Sequence, residues 1–282
     1  MFTLKVENKN GEILTLRQNK NYAVTKIDGL NPPSATINFS EIAGVDGGLF
    51  NSARVEMRNI VLTIKPLGEV EKNRLNLYKY FQIKRWCKIY YSNGSLDVKT
   101  EGYVETIEAD LFSKSEEIQV SIMCPKPYFE SLNEIYSDIS RIIANFEFPF
   151  AIDKDGIEFA YIEQDKFATV VNSGDIETGL IIEITARGTV VNPILYNTRT
   201  GGRFGINITL EKYDRIVINT NSGEKEIYLI SSDVKTNIIN KITPGVEWFV
   251  LSPGENTFSY SADSGAELMS IVFKHSTKYG GV

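Results

Sequence analysis

Histidine is almost missing from this 282-residue chain; His275 is the single one. A hydrolytic triad needs a histidine held by a carboxylate and aimed at a nucleophile. His275 stands seven residues before Val282, in a stretch expected to fray, which argues against that chemistry. One histidine and two distant cysteines, Cys87 and Cys124, also cannot supply the clustered ligands of a histidine-based zinc site. A single cysteine pair defines no disulfide framework, so both are expected to be reduced core residues.

Long apolar runs are lacking too. No stretch of about 18 apolar residues exists, so no membrane-spanning helix is expected. The opening Thr3-Leu4-Lys5-Val6 alternates like a strand and carries no charged leader before an apolar run, so no signal peptide is expected and synthesis is placed in the cytoplasm. Blocks of Lys and Arg are absent, and 36 acidic against 30 basic residues leave a net charge of −6. A duplex-binding protein needs a basic stripe to displace counterions; specific nucleic-acid binding is therefore disfavoured. A phosphate-binding loop is missing as well. Gly44-Val45-Asp46-Gly47-Gly48 lacks a following Lys-Ser/Thr and a strand-to-helix setting, and reads as a loop between strands.

What the chain does have is period-2 alternation. Thr3–Val6, Ile13–Leu16, Tyr22–Ile27 and Ala35–Phe39 read as strands, with Asn10-Gly11 as a hairpin turn. Arg54–Lys65 reads as one long strand whose apolar face switches near Arg58-Asn59. Glu69–Phe81 breaks the pattern: Val70, Leu77, Tyr78 and Phe81 share a helical stripe, and Glu69 and Glu71 suit the positive end of the helix dipole. Strands resume at Trp86–Tyr91, Leu96–Glu108 and Glu116–Met123, with a second turn at Ser92-Asn93-Gly94.

Pro125 and Pro127 stop the last of these, which places a domain boundary near residue 130. Residues 131–165 are read as a linking segment. Ile135, Ile139, Ile142, Ile143 and Phe146 fit a helix template, while Phe146-Glu147-Phe148-Pro149-Phe150 is extended. From 166 onward many short strands alternate with turn signals, Glu247–Leu251 among the strands, which indicates a β-sandwich. The expected fold is mainly β. Residues 1–130 form a sandwich-like or barrel-like domain with one α-helix, and 131–282 a second β-sandwich domain.

Candidate chemistry is sparse. Glu101, Glu105 and Glu108 lie on or near one strand and read as its solvated face. Exposed aromatics of a β-sandwich can stack on sugars, so Trp248, Tyr196 and Tyr213 are candidate surface residues, set against the plainer reading that they fill the core or its edges. No cofactor is implied.

Three stretches in order carry a resemblance. They are Gly44-Val45-Asp46-Gly47-Gly48-Leu49-Phe50-Asn51 with Arg58-Asn59-Ile60; Phe112-Ser113 through Met123-Cys124-Pro125-Lys126-Pro127-Tyr128-Phe129; and Phe146–Phe150 with Asn172-Ser173-Gly174-Asp175. Together they resemble the distal tail protein (Dit) family of siphophages, a bacteriophage tail-tip and baseplate component. The resemblance implies an N-terminal domain closing into a hexameric ring and a galectin-like C-terminal sandwich. It implies a structural virion protein rather than an enzyme, located at the tail tip after synthesis in the bacterial host. Implied partners are further copies of the chain, the major tail tube protein above, a tail-associated hub or lysin protein below, and receptor-binding or baseplate proteins outward; DNA would pass through the ring. Gly44, Asp46, Gly47, Gly48 and Phe50 become the candidate ring-interface loop. The alternative is a carbohydrate-binding accessory protein that recognises cell-wall glycans through the C-terminal sandwich. A cell-wall hydrolase is the weakest reading.

Overall fold

A computed structural model of the chain describes residues 2–16, 20–112, 116–138, 140–144, 160–164 and 167–282. Two compact units divide it: Met1–Leu132 together with Lys278–Val282, and Asn133–Thr277. The last five residues thus belong with the first unit, whereas the sequence boundaries ran the second domain to 282.

The strands of the first unit are β1 (Thr3–Asn8), β2 (Ile13–Leu16), β3 (Tyr22–Asp28), β4 (Ala35–Glu41), β5 (Gly48–Val55), β6 (Arg58–Pro66), β7 (Trp86–Ser92), β8 (Asp97–Ala109), β9 (Ile118–Cys124) and β10 (Phe129–Ser131). The helix is α1 (Val70–Tyr80). An antiparallel sheet runs β2-β1-β7-β8-β9-β6-β3, open at both ends. β10 pairs with the start of β8 and with the short strand Lys278–Tyr279. Alternation builds the core: Leu4 and Val6, Ile60, Leu62 and Ile64, and Ile118, Val120 and Ile122 are all fully buried from one face of the sheet's strands.

The helix sits where the periodicity places it. Leu77 and Phe81 are buried, and Asn73 anchors the first turns by donating to the Leu67 carbonyl at 2.6 Å. Tyr22 ties it to the sheet, accepting from Asn76 at 2.9 Å. Cys87 and Cys124 are free and buried. Burial pushes their thiols up to about 12 and about 11, so neither is a ready nucleophile.

The expected long strand Arg54–Lys65 is in fact two strands. β5 ends at Val55, and β6 begins at Arg58 in a different sheet. The face switch marks this exchange of partners. At the switch Arg58 turns inward and is almost fully buried. Its guanidinium donates to four backbone carbonyls: Pro127 and Asn31 at 2.8 Å, Gly280 at 2.5 Å, and Gly29. It also lies 4.2 Å above the Phe129 ring. One side chain thereby holds the loop after β3, the loop before β10 and the returning C-terminal residues, where the Val282 N–H also donates to the Leu30 carbonyl at 3.0 Å.

The second unit contains β11 (Ile135–Asp138), β12 (Ser140–Ala144), β13 (Ala160–Gln164), β14 (Phe167–Asn172), β15 (Ile181–Ala186), β16 (Val190–Val191), β17 (Ile194–Asn197), β18 (Arg203–Gly205), β19 (Thr209–Leu210), β20 (Arg215–Asn219), β21 (Glu226–Ser231), β22 (Val234–Asn237), β23 (Gly254–Ser261) and β24 (Met269–His275). A sheet β11-β24-β15-β20-β21-β22 faces a sheet β14-β23-β17-β18 across one core. Ile182, Ile184, Ile216, Ile218 and Ile271 come from the first; Val170, Leu195, Phe204 and Phe258 from the second. Phe258 stacks on Phe273 at 4.8 Å, bridging the two layers of a β-sandwich.

Three sequence expectations need correction here. The helix template over 135–143 is not a helix: β11 adds to the edge of β24, and β12 pairs with β13. Cross-strand pairing supplied backbone partners that the local pattern could not reveal. The Phe146–Phe150 reading lies outside the described residues. Glu247–Leu251 is not a strand but an irregular segment carrying a single bridge, Leu251 to Thr178. The end of the chain is not frayed; His275 is buried in β24, opposite Ile135.

Candidate assembly surface

β4 and β5 pair only with each other, as a separate two-stranded sheet. Every residue of both strands is exposed. Their register puts Ala35 opposite Val55, Ile37 opposite Ala53, and, past a bulge, Phe39 opposite Phe50. Directly opposed residues share a face. One face is therefore apolar: Ala35, Ile37, Phe39, Phe50, Ala53 and Val55. The Phe39 and Phe50 rings meet edge to face at 6.3 Å.

The other face is polar apart from Leu49, which lies opposite Ser40. Asn38 donates to Ser52 at 3.0 Å, and Asn51 to Ser40 at 2.7 Å. Thr36 donates to Glu56, whose carboxylate also meets Arg54 at 3.4 Å; the Thr36 hydrogen bond is the main reason the Glu56 carboxyl is held below its ordinary range. This alternation is the signature of a strand with one buried face. Yet Phe39 is 60% and Phe50 62% exposed, and both outer edges carry unpaired backbone groups. A two-stranded hairpin alone in water is marginal, and an open apolar edge invites pairing with another chain.

The residues anticipated as an interface loop form the tip of this hairpin. Gly44 and Gly47 take positive φ, at 83° and 88°, in the turn between the strands, a conformation that costs glycine little. Asp46 lies between them, exposed. Gly48 opens β5 opposite Glu41, and Phe50 follows two residues on. Sequence reasoning missed Ile37, Phe39, Ala53 and Val55 as their partners. The alternation of 35–39 was the available signal, but a lone strand does not tell which neighbour covers it.

The candidate aromatics of the second unit lie on separate elements. Trp248 is half-buried against the core, edge-on to Phe204 at 5.2 Å, with Lys225 above its ring. Tyr196 is half-buried on β17. Tyr213 is 76% exposed in a turn of positive φ before β20. Glu101 pairs with Lys88 at 2.9 Å; burial would raise its carboxyl, but Lys88 and Trp86 outweigh that and hold it low. His275 has neither ring nitrogen in a sound hydrogen bond, and burial pushes its imidazole below the ordinary value, opposed in part by the Val171 backbone. Among the described residues no group of three or more metal-ligating side chains occurs, and no helix is long and apolar enough to cross a membrane.

The first unit therefore carries a hairpin with an uncovered apolar face, and comparison with known proteins gives the fold a context. Residues 173–276 match the family model of the siphovirus-type tail component, C-terminal domain. Against curated protein sequences the chain has no significant match. Its fold is similar over 99% of both chains to the crystal structure of SPP1 Dit (gp 19.1), described as a paradigm of the hub adsorption apparatus in phages infecting Gram-positive bacteria (TM-score 0.69, 14% identity). It is also similar over 100% of both chains to a component of the phage P2 baseplate in its activated, Ca-bound conformation (TM-score 0.52, 13% identity). The chain thus has a Dit-like fold, and its residues 173–276 resemble a siphovirus-type tail component.

Proposed function

We propose that copies of this chain close into a ring, six by analogy with the family, and that β4–β5 is the arm by which each copy grips the next. The carrying observation is an amphipathic hairpin whose apolar face is open to water. Covering half-exposed Ile37, Phe39, Phe50 and Val55 contributes about 1 kcal/mol per side chain, repeated at every contact around the ring. A ring needs head-to-tail contacts between unlike patches, and hairpins laid edge to edge supply them while satisfying their free backbone groups. The opposite face, Thr36, Asn38, Ser40, Asn51, Ser52 and Arg54 with one leucine, Leu49, is mostly polar, and its Arg54 cation is balanced by Glu56. Turned to the lumen, it would let DNA slide without holding it. The ring would join the tail tube above to the hub below and carry attachment proteins through the second unit; its role is adhesive, not catalytic.

The test is Phe39→Ser with Phe50→Ser in the full chain. Both residues are exposed in the isolated subunit, so the thermal midpoint should stay within about 2 °C, consistent with surface substitutions. Ring formation by mass photometry, and incorporation into tails, should fall sharply. Normal rings and tails from this variant would refute the reading.

A further inference from the structure

A cluster of cations in the first unit serves neither its core nor its hairpin. A recess of about 240 Å³ opens where the β1–β2 turn, the C-terminal end of α1 and the start of β7 meet. Lys9, Lys79 and Arg85 line it, together with Tyr80 and Trp86. On a chain of net charge −6 this is a local excess of positive charge. The neighbouring carboxylates are already engaged. Glu12 accepts from Asn8 at 2.8 Å and meets Lys79 loosely at 3.7 Å; Glu101, beside Trp86, holds Lys88 at 2.9 Å. Among the described residues Lys9, Lys84 and Arg85 have no ion-pair partner. The exposed Gln82–Arg85 turn presents two of these cations in a fixed geometry. Lys84 takes φ 65°, a conformation costly for a residue other than glycine. Its N–H donates to the Val104 carbonyl at 2.8 Å, and the Val104 N–H donates to the Arg85 carbonyl at 3.1 Å. Ile83, in the same turn, is 53% exposed.

The complementary charge stands at the tip of β4–β5. From Ala35 to Ala53 the only charged residues are Glu41 and Asp46, so the arm ends in two carboxylates and no cation. Both are exposed, and neither has an ion-pair partner among the described residues. Ile42 and Val45 lie between them, 48% and 62% exposed. The Val45 N–H closes the turn on the Ile42 carbonyl at 3.1 Å. The tip is narrow, because Gly44, Gly47 and Gly48 add no side chains. β4 spans seven residues, and at roughly 3.3 Å per residue it carries the tip about 20 Å from its base. Tip and base therefore meet different parts of whatever the arm crosses. A narrow acidic point with two aliphatic side chains matches a recess of cations walled by aromatic rings.

We propose that the basic recess around Lys79 and Arg85 receives the hairpin tip, Glu41 to Gly48, of a second copy of this chain. The inference rests on the self-assembly reading and names the surface on which the arm ends. Tip and recess are unlike patches, so the contact is head-to-tail, the type that a ring requires. Opposite charge sets register and excludes the wrong face more than it adds raw affinity. The apolar gain comes from Ile42 and Val45 against Tyr80, Trp86 and Ile83.

The experiment is a charge swap in the full-length protein. The first variant carries Lys79→Glu and Arg85→Glu; the second carries Glu41→Lys and Asp46→Lys. Each alone sets like charges against each other and should weaken self-association about tenfold or more by sedimentation. An equimolar mixture should recover assembly, because in an alternating ring every recess then meets a tip of opposite sign. Recovery cannot come from misfolded chains. Assembly at the wild-type level by either variant alone would overturn the tip contact and leave the apolar-face reading to its own test. Loss in both without recovery on mixing would also overturn it. The Phe39→Ser, Phe50→Ser chain separates the two readings: if it forms normal rings while the swap behaves as stated, the apolar-face reading fails and the tip contact stands. A first variant that assembles like wild type but no longer retains a fluorescent single-stranded oligonucleotide would overturn the proposal in favour of nucleic acid.

Discussion

Arg58→Ala removes the side chain that fastens the first unit together. Its guanidinium donates to four carbonyls from three separate segments and covers Phe129. Hydrogen bonds from a charged donor contribute about 1.5–3 kcal/mol each, so the four together come to roughly 6–12 kcal/mol. Burying a guanidinium costs several kcal/mol, and deleting it recovers that, cancelling about half. The net loss is about 3–5 kcal/mol. For a unit of this size each kcal/mol moves the midpoint by about 3–4 °C, so the first transition should drop by roughly 10–20 °C in calorimetry. Hydrogen exchange should locate the loss: the Val282 amide, bonded to the Leu30 carbonyl, should exchange faster in the variant. Arg58→Lys keeps a charge but not the fork that spans Pro127, Gly29 and Gly280, and should fall between. A midpoint lowered by under 2 °C, with the Val282 amide still protected, would show that the clasp contributes little.

Acid should weaken the second unit through His275. Its folded value lies below the ordinary 6.5 because burial disfavours the charged ring. Above 6.5 the ring is neutral in both states and there is no penalty. As pH falls below 6.5 the unfolded chain takes up a proton first, and stability declines until the folded value is passed. His275→Leu should flatten that part of the pH–stability curve, and an unchanged slope would refute the assignment. Gly102→Ala is expected to cost about 1–3 kcal/mol by overpacking, because an added Cβ would stand 2.7 Å from the Met123 carbonyl and 2.9 Å from Cys124 Sγ. Urea denaturation measures it, and an unchanged midpoint would mean that β8 and β9 can separate there without loss.

Local chemistry determined much of this protein. Alternation placed the strands of the first sheet, the Asn10-Gly11 and Asn93-Gly94 turns joined them, and the 3.6-residue stripe through Leu77 and Phe81 located the helix. The single histidine and the two separated cysteines argued against a histidine-based triad or zinc site and against nothing else. These are short-range signals, set by backbone preference and by the spacing of apolar side chains.

Partnership was decided only in three dimensions. Nothing within Arg54–Lys65 says that its halves join different sheets, because periodicity records that a face is covered and not by what. Ile135–Asp138 fitted a helical spacing and still became strand, since an open edge of β24 offered its backbone hydrogen bonds. Nothing local to Arg58 shows that the chain returns at residue 280 to meet it, and sequence separation on that scale leaves no local trace. The alternation of Ala35–Phe39 was legible as a strand, and Phe50 only as part of a loop. The folded subunit shows the face they share uncovered, and so directs attention to the neighbouring molecule.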